Sequence, residues 1–94
     1  MDKAEARAVL NEYLETYRAK SYEDLKRIID EIDTCERTGS SGAAYQIEMM
    51  VFWDDKPAGV IRVMGAVDDG GWRAYIPLTL DFLVSPDGDQ GIWL

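Results

Sequence analysis

From Ala43 onward the apolar residues fall at every second position, and this alternation most constrains how the chain can fold. Tyr45, Ile47, Met49, Val51 and Trp53 alternate with Gln46, Glu48, Met50 and Phe52. A period of two puts the first set on one face of a strand and the second set on the other. A second strand is predicted from about Gly59 to Val67, and a third from Trp72 to about Val84. Pairing Asp54 with Ala58 sets Val51 opposite Ile61 and Ile47 opposite Gly65. Pairing Val67 with Trp72 sets Val63 opposite Ile76 and Ile61 opposite Leu78. Both registers bring Tyr45, Ile47, Met49, Val51, Ile61, Val63, Val67, Trp72, Ala74, Ile76 and Leu78 to one side. A slip of one residue would split that set between core and solvent, so the agreement is informative. Gly65 beside Ala74 leaves a dip in this face where a helix side chain can seat.

The first third of the chain reads as helix. Ala6, Val9, Leu10, Tyr13, Leu14 and Tyr17 recur at three- and four-residue spacing, with Asp2 and Glu5 at capping-box distance. Ser21 offers a second cap, and Leu25, Ile28, Ile29 and Ile32 form a second stripe. These signals predict one domain over the 94 residues: helical 2–36, loop 37–42, β-meander 43–84 and tail 85–94. The fold class is α+β, with two N-terminal helices on one face of an antiparallel meander of three strands, or four if the tail pairs. In outline, a helix ahead of a meander resembles the cystatin-like and NTF2-like folds, a likeness of architecture that carries no function.

Several chemistries are excluded or disfavoured. There is no histidine, which removes the commonest general base and the commonest metal ligand. Eighteen acidic against ten basic residues give a net charge of −8, a field that repels nucleic acid and anionic bilayers. The lone Cys35, beside Asp33 and Glu36, is a poor thiolate and a better packing residue near the end of the second helix. With no apolar leader in the first twenty residues, it fits a reducing cytosol. Asp54-Asp55, Asp68-Asp69 and Asp87-Gly88-Asp89 read as turns rather than metal or catalytic pairs. Ser85-Pro86-Asp87-Gly88 is a turn with proline in its favoured second position. Gly70-Gly71 precedes a strand, not a helix, and lies beside two carboxylates, so it is no phosphate cradle. In Ala66-Val67-Asp68-Asp69-Gly70-Gly71-Trp72 a four-residue loop over 68–71 is expected, with Gly71 at positive φ. That choice turns the missing N–H of Pro77 away from the second strand. No cofactor and no metal site is expected.

What remains is the other face of the sheet, which is too apolar to be merely solvated. Met50, Phe52, Arg62, Met64 and Tyr75 are the candidate binding residues, suited to a homodimer or another protein partner. An alternative is a small-molecule pocket or weak acid/base enzyme between helices and sheet, using Glu48 or Asp81 with a tyrosine. Tyr13, Tyr17 and Tyr22 are the tyrosines placed to line such a pocket. A bland role for Asp81 is an ion pair with Arg62 or Arg73. A further alternative, from size and acidity, is an inhibitor or immunity-type protein that captures a basic partner.

Overall fold

The computed structural model describes residues 2–70 and 77–93. Helix α1 (Lys3–Arg18) and the short helix α2 (Tyr22–Lys26) precede strands β1 (Ile32–Thr38), β2 (Ala44–Trp53), β3 (Ile61–Asp68), β4 (Leu78–Val84) and β5 (Gln90–Trp93). The strands pair antiparallel in chain order, β1-β2-β3-β4-β5. The architecture is α+β, with the helices against one face of a meander.

The helix signals hold at their starts. Asp2 accepts from the Glu5 N–H at 3.0 Å, and Ser21 accepts from the Asp24 N–H at 3.1 Å. Each satisfies a donor that the helix itself leaves free. Along α1, Ala6, Leu10, Leu14 and Tyr17 are buried, one residue per turn. They pack with Ile47, Met49, Val63, Val67 and Phe82 of the sheet in one apolar cluster.

The second helix is much shorter than its stripe implies. Residues 27–30 form a turn, Asp30 takes φ 67°, and its N–H bonds the Val51 carbonyl at 2.7 Å. Ile28 and Ile29 still pack on the core from that turn. Ile32 and Cys35 instead belong to an edge strand, in seven consecutive pairs with β2 from Ile32–Met50 to Thr38–Ala44. An edge strand is solvated on both faces, so it carries no apolar alternation to betray it. β-Branched isoleucines at 28, 29 and 32 imitate a helical stripe.

The two predicted hairpin registers are displaced, each by an even number of residues. Val51 pairs with Val63, not Ile61, and Ile47 pairs with Val67, not Gly65. The loop runs from Asp54 to Val60, with Ala58 at φ 68° and the Asp54 N–H bonding the Val60 carbonyl. Val67 pairs with Leu78, not Trp72, and Ile61 with Val84, not Leu78. A loop over 68–71 is therefore not what joins these strands. Strand β4 begins just after Pro77, which has no N–H to give a ladder. Gly70 takes φ 74°, and its N–H bonds Asp68 Oδ1 at 2.7 Å. The expectations for Gly71, Trp72, Ala74, Tyr75 and Ile76 lie outside the described residues. Even displacements keep the described side chains on their expected faces: Tyr45, Ile47, Met49, Val51, Ile61, Val63 and Val67 are buried, and β4 adds Leu80, Phe82 and Val84. The turn at Ser85 also forms, closed by the Gly88 N–H on the Ser85 carbonyl at 2.8 Å.

The dip is at Gly65. A Cβ built there would lie 2.7 Å from Leu10 Cδ1 and 2.8 Å from Met49 Sδ. Leu10 seats in the space that the missing side chain leaves, which sets how closely α1 approaches the sheet. Its neighbour across the ladder is Leu80.

Candidate functional site

The face of the sheet turned from the helices holds the candidate residues. Reading across the registers, Ile32, Met50, Met64 and Asp81 form one row over four strands. The next row toward the β2–β3 loop holds Phe52, Arg62 and Leu83. On the other side lie Thr34, Glu48, Ala66 and Thr79, then Glu36, Gln46 and Asp68. The face is thus divided into an apolar half and an acidic half. Met50, Phe52, Met64 and Leu83 shield one another and are half-buried, while Ile32 at the edge is 62% exposed.

One ion-pair network crosses the apolar half. Arg62 Nε donates to Asp54 Oδ1 at 2.8 Å, and Nη1 bonds Asp81 Oδ2. The hydrogen bond to Asp54, then that to Asp81, holds the guanidinium charge more firmly than usual. Asp81 is therefore engaged by Arg62 and lies on the face away from the helices. Glu48 lies on the same face, exposed, at a shallow depression of about 330 Å³ with Thr34, Gln46, Ala66, Asp68 and Pro77. Neither acid reaches the space between helices and sheet. That space is filled by the apolar cluster.

The tyrosines do meet a carboxylate, but a different one. Tyr13 and Tyr17 both donate to Asp33 Oδ2, at 2.5 and 3.1 Å. Burial, then the Asp33 bond, raises the Tyr13 phenol, and burial with the Asp33 charge pushes Tyr17 up to about 12. Both phenols stay protonated near neutral pH and act as donors that clamp α1 to β1. The Arg37 guanidinium lies 4.9 Å from the Tyr13 ring centroid and the Lys20 ammonium 5.7 Å from that of Tyr17. Tyr22 instead donates to the Gly59 carbonyl at 2.6 Å. Placing Asp33 in a helix hid its meeting with the tyrosines, since that meeting needs β1 to run beside α1.

A second carboxylate clasps the β1–β2 turn. Glu5 Oε1 accepts from Tyr45 at 2.6 Å and from the Ser41 hydroxyl at 2.7 Å, and Oε2 accepts from the Ser41 N–H at 2.8 Å. The Tyr45 bond first, then Ser41, lowers this carboxyl from 4.5 to about 2. Its ionised form is preferred in the fold, so the stabilisation is complete above pH 4.5 and is lost as pH falls toward 2. Thermal melts between pH 6 and pH 2.5 should show a fall in melting temperature that is smaller in Glu5→Gln, which has no such proton to take up.

Among the described residues no three acidic or thiol side chains converge in a way that could hold a metal ion. Among the described residues no helix is long and apolar enough to cross a membrane. No protein-family model, curated protein or solved structure matches the chain.

Proposed function

We propose that this chain is an interaction module of a reducing cytoplasm that pairs with a second copy of itself through its open sheet face. The observation that carries the reading is the division of that face, with Ile32, Met50, Phe52, Met64 and Leu83 gathered in one half. With Ile32 62% exposed and the other four half-buried, they leave on the order of 250 Å² of apolar surface open on each copy, a modest patch for a small protein. Covering it contributes about 6 kcal/mol per copy before the costs of association are subtracted. A two-fold axis through the apolar half lays apolar on apolar and carries Glu36, Glu48 and Asp68 of the two copies to opposite ends. Most of the acidic charge is then held away from where the surfaces touch. Arg62 enters the interface paired with both aspartates, a cluster that keeps one net negative charge per copy.

The test is solution mass by sedimentation equilibrium for Phe52→Asp and Met64→Lys. Met64 faces Asp81 across the ladder, so its lysine finds an opposite charge within its own sheet, whereas Phe52→Asp adds a third carboxylate beside Arg62. Circular dichroism should stay as in the parent while the mass falls by half. An unchanged mass in both variants would overturn the proposal.

A further inference from the structure

We propose that two copies of the chain also join edge to edge, β1 to β1, into one continuous sheet of ten strands. This pairing goes beyond the open-face dimer and does not rest on it. Strand β1 ends the sheet order, and its residues are exposed except for the half-buried Cys35. The Gly39 N–H bonds the Ala43 carbonyl at 2.9 Å, which sets the phase of the β1–β2 ladder. Counting back by twos, Arg37, Cys35 and Asp33 spend their backbone groups on β2. Ile32, Thr34, Glu36 and Thr38 turn theirs outward. Protected edges carry a proline, a bulge or charges that forbid pairing. Residues 32–38 contain no proline, and their seven pairs run without a bulge.

The charges on β1 favour pairing with a copy of itself. Asp33 and Arg37 lie two residues either side of Cys35 on one face of the strand. Among the described residues neither has an ion pair within its own chain. The two tyrosines use a single oxygen of Asp33, and Arg37 donates only to the Glu36 carbonyl while stacking on Tyr13. An antiparallel partner centred on Cys35 places Asp33 opposite Arg37 of the second copy, twice. In that register Thr34 faces Glu36 and Ile32 faces Thr38, and these outward groups form the hydrogen-bonded pairs. Shifting by two in one direction sets Glu36 against Glu36; shifting the other way sets Asp33 against Cys35. Either shift also loses two pairs. The centred register therefore uses the whole strand and both charges. Its two-fold axis stands normal to the sheet, whereas that of the open-face dimer lies parallel to it, so the two contacts use different surfaces of the chain.

The register puts the two Cys35 residues in a non-hydrogen-bonded pair, with Cα atoms about 4.5 Å apart, close enough for a disulfide. Diamide supplies a direct readout. It takes two electrons and two protons from the two thiols, leaving an S–S bond and a hydrazine. The parent should cross-link to a covalent dimer on non-reducing denaturing gels. Thr34→Pro removes an outward N–H that the β1–β2 ladder does not use, and should slow cross-linking at least tenfold in a protein whose circular dichroism is unchanged. Met64→Lys should cross-link as the parent does, which separates this edge from the open face. Arg37→Glu and Asp33→Lys should each cross-link poorly alone and efficiently when mixed, because the mixture restores both opposite-charge pairs. The proposal is overturned if the parent does not cross-link, or if Thr34→Pro cross-links as fast as the parent. A mixture no faster than its separate components would also overturn it.

Discussion

Gly65→Ala is expected to lower stability by about 1–3 kcal/mol, and Gly65→Val by more, the usual cost of forcing atoms into a filled core. A Cβ at 2.7 Å from Leu10 Cδ1 and 2.8 Å from Met49 Sδ cannot be accommodated without moving one of them. Leu10 and Met49 are each at most 1% exposed and packed on all sides, so moving either propagates into α1 or the sheet. The partner in the clash can be identified by a double-mutant cycle. Leu10→Ala alone should cost about 2–5 kcal/mol through the lost contacts and the cavity left behind. In that background Gly65→Ala should cost 0.5–3 kcal/mol less than in the parent, a range typical of touching residues. Urea denaturation at 25 °C measures all four corners. A Gly65→Ala variant as stable as the parent would show that Leu10 does not depend on the dip.

Phe82→Ala should cost about 3–5 kcal/mol, a large part of the 5–15 kcal/mol that holds a typical domain together. Phe82 is fully buried in β4, opposite Val63 on one side and in register with Ile92 of β5 on the other. The Arg18 guanidinium lies 5.2 Å from its ring centroid, so the ring also links the end of α1 to the sheet. Phe82→Leu keeps most of the apolar contact and loses the aromatic face, and should cost distinctly less. Calorimetric melts of the two variants separate the terms. Equal losses would assign the whole effect to the cation–ring contact rather than to buried volume.

Much of this fold was legible because burial imposes a period. The stripe from Ala6 to Tyr17 and the alternations through β2, β3 and β4 each report a face that must be dry. What lacked a period was invisible. Ile32–Thr38 is wet on both faces, so nothing in its pattern distinguished an edge strand from the end of a helix. Hairpin register was legible only modulo two, since a displacement by an even number of residues returns every side chain to its own face. The β2–β3 and β3–β4 registers used that freedom. The candidate site shows the same division. Met50, Phe52, Arg62 and Met64 share a face because the alternation assigns faces, and Arg62 with Asp81 was an expected pairing. Ile32 on that face, and Asp33 and Arg37 flanking Cys35 on the other, become legible only once β1 is known to exist.

The meander order of the sheet also bears on how fast the chain can reach this state. Each strand bonds to its neighbour in sequence, so each ladder pairs segments that are close along the chain, a low cost in loop entropy. Hairpins of this type form in about 1–10 μs. The contacts that span long stretches of chain belong to α1, through Leu10 at Gly65 and through Glu5 at Ser41 and Tyr45. The sheet can therefore assemble outward from any of its turns. The docking of one helix, guided by a glycine and a carboxylate, is the step left to set the pace.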